Sequence, residues 1–145
     1  MLTFTTRRLI RMSDADIHGN VHNLSIIRYA EDTAVEWVHA LRDELGLQTY
    51  WGVARVQAEF TRLLPWTTQE VQLALRAEKV GRASLNLVTS ISSRLGEHAQ
   101  VRTRVMRFDA SGTRTTMTPE ERAWYQRYLA QDSAHLDAAR VLQPS

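Results

Sequence analysis

The 145-residue chain has no cysteine, which excludes disulfides, a thiolate nucleophile and thiolate-ligated metal. It has no apolar run near the ~20 residues that a membrane-spanning helix needs. Its first residues, Met1 to Arg8, lack the apolar centre of a secretory leader. No membrane partner and a cytoplasmic location are therefore expected. Lysine is almost absent: Lys79 stands alone in a Lys+Arg total of 18, set against 16 acids for a net charge of +2. Arginine forks suit phosphate groups, although a compositional bias accounts for most of the excess. There is no basic stripe with interleaved aromatics, so nucleic acid is not an expected partner. Internal repeats and low-complexity segments are missing too. The remainder is 43% hydrophobic and 23% charged, the balance of one domain around a single core.

What is present reads as strand, loop, long helix, four strands and a short helix. Residues 3–12 are β-branched and strand-like, stopped by Ser13-Asp14. Ser13–His22 is a loop of turn formers. From Asn23 to Leu45 the apolar residues fall at helical spacing, with Ile26, Ile27, Ala30, Ala34, Trp37, Val38, Leu41 and Leu45 on one stripe. Asn20, His22 or Asn23 caps its start and Gly46 stops it. Such a helix is ~33 Å long and matches a ten-residue strand at ~3.3 Å each, so it can lie along a whole sheet. Strand-like runs follow at Gly52–Leu64, Glu70–Val80, Ala83–Ser92 and Ala99–Phe108, and their short turns predict an antiparallel meander. Thr118-Pro119-Glu120-Glu121 then reads as a capping box opening a second helix, whose apolar side is Trp124, Tyr125, Tyr128 and Leu129. The residues from 132 extend as a third, short helix. The fold class is α+β, a five-stranded antiparallel sheet wrapped around one central helix.

The loop carries the chemistry. Asp16 lies in a Gly-containing turn just before a helix N-terminus, where backbone N–H groups without intrahelical partners hold developing negative charge. A carboxylate there acts on a carbonyl or simply caps the turn. Asp14 reads as a turn-stabiliser, and Glu31, near the edge of the apolar stripe, as a structural residue. A calcium loop is not supported, because its fifth position is His18 and its twelfth is Ser25. A zinc-protease pattern needs a Glu where Gly19 stands. No metal site is expected.

Asp14-Ala15-Asp16-Ile17-His18-Gly19-Asn20-Val21-His22-Asn23, followed by Tyr29-Ala30-Glu31, resembles the D-x-D-x-x-G-x-V-x-N…Y-x-E signature of hotdog-fold thioesterases. The nearest group is the 4-hydroxybenzoyl-CoA thioesterase family of acyl-CoA hydrolases. The resemblance extends over roughly residues 3–125: Val53–Pro65 is similar to the strand after the helix, and Lys79–Ser84 to a turn and strand start that carry a Ser. It implies a hotdog domain over 1–131 with a helical tail over 132–145. Asp16 is then the catalytic nucleophile or general base, and the Asn23 N–H polarises the thioester carbonyl. Gly19, Val21 and His22 line the substrate, while Arg82, Ser84 and Arg114 take the phosphate end of coenzyme A. The implied assembly is a homodimer or homotetramer with sites between subunits, acting on acyl-CoA without a cofactor. Two rivals are a thioesterase for acyl groups on a carrier protein or polyketide, and a non-catalytic acyl-CoA-binding hotdog. Many relatives read Gly-His-Val-Asn-Asn. Here Asn20 holds the His position, His22 holds the first Asn position, and Ile26 replaces a Tyr.

Overall fold

In the computed structural model residues 1–130 are described; the expected third helix and the boundary at 131 lie outside them. The chain forms β1 (Phe4–Leu9), α1 (Asn23–Leu45), β2 (Tyr50–Phe60), β3 (Glu70–Val80), β4 (Ser84–Ser93), β5 (Gly96–Phe108) and α2 (Pro119–Gln126). The five strands make one antiparallel sheet in the order β1-β3-β4-β5-β2. The α+β hotdog architecture is thus the one formed, with α1 lying across the sheet. No helix among the described residues is long and apolar enough to cross a membrane.

The meander holds for β3, β4 and β5, joined by tight turns such as Gly81 N–H to Ser84 O at 2.9 Å. It fails for β2, which pairs with β5 at the sheet edge and not with β3. The strand ends at Phe60, short of the expected Leu64. Beyond it the chain turns across the end of the sheet, pinned by Thr61 N–H to His98 O (2.8 Å) and Val21 N–H to Leu64 O (2.7 Å). Residues 61–69 are a crossing, so their turn-forming Pro65-Trp66-Thr67-Thr68 carries no hairpin.

The buried face of α1 is Ile26, Tyr29, Ala30, Thr33, Trp37 and Leu41, displaced from the apolar stripe toward two hydroxyl residues. Their polar groups are satisfied locally, so burying them costs little. Tyr29 O–H donates to Asp14 Oδ2 at 2.6 Å, and Thr33 O–H to the carbonyl of Tyr29 at 2.8 Å. Val35, assigned to neither face by the pattern, is half exposed beside β2.

The core has two halves. One, around Val21, Ile26, Leu64, Val71, Leu73 and Ile91, sits under the start of α1. The other, around Trp37, Leu41, Leu75, Leu85, Val105, Trp124 and Tyr125, sits under its end. There α2 closes the sheet. Thr118 Oγ1 caps it, accepting from Glu121 N–H at 3.2 Å. The Glu121 carboxylate does not complete the expected box. Both of its oxygens take Arg107, at 2.9 and 3.1 Å, in a buried fork.

Candidate active site

The residues from Asp14 to Asn23 form a small closed loop. Ala15 bridges Val21, Asp16 N–H donates to Asn20 O (2.7 Å), and Gly19 N–H returns to Asp16 O (3.0 Å). Gly19 has φ +81°, a conformation that L side chains rarely adopt. Its carbonyl accepts from Trp66 N–H at 3.0 Å, which ties the loop to the crossing segment. Asp14 does what a turn-stabiliser does. Its carboxylate takes Tyr29 O–H and Arg11 N–H (3.2 Å), and its backbone carbonyl takes His22 N–H (2.8 Å). Burial first, and then the Asp14 carboxylate, push the Tyr29 phenol well above its usual range, so it stays a donor.

Asp16 is held by one oxygen. Oδ1 accepts from the backbone N–H groups of His18 (2.9 Å) and Asn20 (3.1 Å). Among the described residues no donor reaches Oδ2. The Asn20 amide above all, and then the His18 amide, outweigh desolvation and hold the carboxyl below its usual value. It is ionised at neutral pH, braced on one side and open on the other.

His22 is the cap of α1. Its Nδ1 accepts from Leu24 N–H at 3.1 Å, and its carbonyl takes Ser25 and Ile26 N–H at 2.9 and 3.1 Å. Of the first-turn donors, only the Asn23 N–H has no acceptor among the described residues. Asn23, Val21 and Ile26 form one wall of a cleft of about 210 Å³, and Phe60 to Leu64 form the other. The unpaired N–H sits at the helix end that favours negative charge.

The remaining expected residues lie elsewhere. β3 starts beside the loop, where Ile10 N–H meets Gln69 O, and runs eleven residues away from it, ~35 Å at ~3.3 Å per residue. Arg82 and Ser84 flank the turn at that far end. Arg114, which bridges Phe108 after β5, is there as well. Arg82 lines a cleft with Pro119 and Arg122, whereas Arg114 lines a separate one with Arg55 and Arg104. A single chain therefore brings Asp16, Gly19, Val21, His22 and Asn23 together but leaves Arg82, Ser84 and Arg114 at the opposite end of the sheet.

One residue near the site escaped the sequence reading. His98 is fully buried in β5, with Nδ1 3.2 and 3.1 Å from the carbonyls of Arg62 and Leu63, in the wall facing Asn23. The available signal was a histidine beside Ala99 and Val101, where strand alternation predicts burial. Among the described residues no three His, Asp or Glu side chains gather as metal ligands.

The sequence profile of the Thioesterase-like superfamily matches residues 10–131. The chain belongs to that superfamily. Its fold recurs in solved thioesterases at low sequence identity. A predicted thioesterase from Bacillus stearothermophilus superposes with a TM-score of 0.79 at 19% identity, over 90% of this chain and 98% of that one. A Thermus thermophilus thioesterase complexed with coenzyme A and Zn gives 0.71 at 21% identity, over 86% and 96%. A 1,4-dihydroxy-2-naphthoyl-CoA thioesterase from Synechocystis gives 0.70 at 12%, also over 86% and 96%. No curated protein matches this member of the superfamily in sequence.

Proposed function

We propose that this thioesterase-superfamily chain hydrolyses acyl-CoA to the free acid and coenzyme A. The observation that carries the reading is the Asn23 N–H, which has no acceptor among the described residues and belongs to a residue lining a cleft at the positive end of a 23-residue helix. With the thioester carbonyl oxygen at that N–H, the helix end stabilises the tetrahedral oxyanion. Asp16 acts through Oδ2. Either that oxygen adds to the carbonyl carbon, coenzyme A leaves as thiolate, and water hydrolyses the anhydride. Or Oδ2 takes a proton from a water that adds directly. Both routes consume one water and give acid and thiol. Gly19, Val21 and His22 line the approach. The coenzyme A ligand of the T. thermophilus neighbour and the acyl-CoA substrate of the Synechocystis enzyme support this substrate class.

The site is completed by a second copy. β2 is an edge strand whose helix-side residues Val53, Val56 and Phe60 are 54%, 38% and 39% exposed, and an open apolar edge of this kind is a template for pairing. Antiparallel β2–β2 pairing sets the Tyr50 end of one copy beside the Phe60 end of the other. The partner's far sheet end, with its Arg82, Ser84 and Arg114 positions, then approaches Asp16. The twofold symmetry gives a homodimer, and two such dimers a tetramer.

The test is thiol release from a panel of short, long and aromatic acyl-CoAs. The chain has no cysteine, so a thiol-reactive dye reports only released coenzyme A. Turnover that falls ~10²-fold or more in Asp16→Asn places Asp16 in the chemical step. Turnover on acyl-carrier-protein thioesters alone makes the protein partner the substrate. Tight coenzyme A binding with no turnover on any thioester makes the chain a binding protein.

A further inference from the structure

His98 grips the irregular crossing between β2 and β3 from two sides. Its carbonyl accepts the N–H groups of Thr61 (2.8 Å) and Arg62 (3.3 Å). Its ring Nδ1 lies 3.2 and 3.1 Å from the carbonyl oxygens of Arg62 and Leu63. Carbonyls only accept, so this nitrogen donates. No other donor reaches either carbonyl among the described residues. Backbone outside a ladder stays in place only where other groups take its donors and acceptors. The strand that carries His98 also aims it. In the β4–β5 register Ile91 pairs with Ala99 and Ser92 with Glu97, so His98 is the extra residue of a bulge. A bulge leaves one residue without a ladder partner and re-aims its side chain. Here the ring is fully buried, with Ser93 Oγ against its Nε2.

The crossing in turn holds both halves of the proposed centre. Thr61 to Leu64 belong to the wall of the cleft that faces Asn23. Leu64, next after the carbonyls that the ring grips, accepts Val21 N–H at 2.7 Å. Pro65 bridges Asn20, and Trp66 N–H donates to Gly19 O at 3.0 Å. Asn20 then holds Asp16 twice, with its N–H on Oδ1 (3.1 Å) and its carbonyl on the Asp16 N–H (2.7 Å). Every link from the His98 ring to the Asp16 carboxylate is one hydrogen bond, one strand bridge or one chain neighbour. The ring itself does not line the cleft, so it acts through the wall.

We propose that His98 is a positioning residue for the hydrolysis. Its Nδ1–H fixes the crossing, and the crossing fixes the Asp16 loop against the wall that faces the Asn23 N–H. The proposal rests on the acyl-CoA reading and adds to it a residue that never touches the thioester. A misplacement of about 1 Å at a reacting group costs up to ~10²-fold in rate, so the hold bears on kcat more than on substrate affinity.

The test compares His98→Asn with His98→Gln in the full chain. The shorter amide stands near the Nδ1 position and keeps a donor for the two carbonyls. The longer one reaches toward Ser93 instead and leaves them without a donor. Thr118→Ala, which removes the cap of α2 at the far end of the sheet, controls for lost stability. Each variant is measured at a temperature where circular dichroism shows it folded. The readouts are kcat and KM on the best acyl-CoA of the panel, and amide hydrogen exchange by NMR. His98→Gln is expected to lose about tenfold or more in kcat with KM little changed. Exchange is expected to quicken at the Val21 and Trp66 N–H groups but not at Met117 N–H, which bonds Arg82 O at the far end. His98→Asn recovers most of both, and Thr118→Ala keeps the wild-type kcat. Wild-type kcat in His98→Gln overturns the proposal. So do equal losses in the two His98 variants, which would mean that only the bulk of the ring counts. A fall in kcat without faster exchange at Val21 and Trp66 overturns the route through the crossing. If wild type hydrolyses no thioester, the acyl-CoA reading falls. Faster exchange in His98→Gln then leaves the hold on the loop standing, and unchanged exchange overturns that as well.

Discussion

Ser93 Oγ lies 2.6 Å from Nε2 of His98, and the other ring nitrogen faces the carbonyls of Arg62 and Leu63. Carbonyls only accept, so Nδ1 carries a proton, and in the Nδ1–H tautomer Nε2 accepts from the Ser93 hydroxyl. The Leu95 N–H in turn donates to Ser93 Oγ at 3.0 Å. The pair thus staples the β4–β5 turn to the wall that faces the Asn23 N–H. His98→Ala empties the space of a fully buried ring and removes the donor to two carbonyls, and its expected cost is about 2–4 kcal/mol in urea unfolding. Ser93→Ala, which removes one donor, costs about 1 kcal/mol. Nitrogen chemical shifts showing Nε2–H would overturn the assigned tautomer.

The pH profile should bear the mark of the loop amides around Asp16. Its carboxyl is held below the ordinary 3.8, so the base form persists until the medium is strongly acidic. kcat/KM is expected to stay level on the acid side of neutrality and to drop only below about pH 4. An acid limb near pH 6 would assign the role to another group. Stability follows the same sign. Asp16, Asp109 and Glu44 all have lowered values in the fold, chiefly through hydrogen bonds from Asn20, Ser111 and Trp124 respectively. Their contribution is present above the unfolded carboxylate range near ~4 and is lost as pH falls through the folded values.

Arg107 and Glu121 are a second pair whose disruption is readable. Glu121 is 1% exposed and Arg107 8%, and the fork anchors α2 onto β5. Glu121→Ala strands a buried cation and is expected to destabilise by about 3–5 kcal/mol. Replacing both residues with Met and Leu is expected to cost far less. Chemical denaturation of the three variants gives the comparison, and equal losses in the single and double changes would refute it.

Charge on the open edge should report the assembly. Val56 lies mid-strand in β2, on the helix side opposite Thr103. Val56→Lys is expected to lower the mass seen by sedimentation from dimer or tetramer toward monomer, and turnover should fall with it. A monomeric wild type would remove the second copy from the site.

The parts of this fold that could be read from residues alone are those fixed by near neighbours. The cap before Asn23, the left-handed Gly46 and the turn at Gly81 are local, and α1, β3, β4 and β5 followed from them. β2 was misplaced because Pro65-Trp66-Thr67-Thr68 has the same turn chemistry in a hairpin and in a crossing. What decides between them is remote, namely His98 on Thr61 and Val21 on Leu64. The helix stripe slipped because Tyr29 and Thr33 count as polar until Asp14 and a backbone carbonyl are seen to satisfy them. The Asp16 loop was legible because its Gly and Asx residues act within ten positions. The aim of the His98 ring was not, since it depends on a bulge and a strand pairing with no sequence mark.

The distance between the Asp16 loop and the Arg114 end of the same sheet has a genetic consequence. If each working centre draws one end from each of two copies, a chain lacking Asp16 and a chain lacking the arginines carry complementary defects. Dissociated and reassociated together and assayed well below KM, two impaired preparations should rise to roughly a quarter of wild-type turnover, because half the random pairs are mixed and each mixed pair has one intact centre.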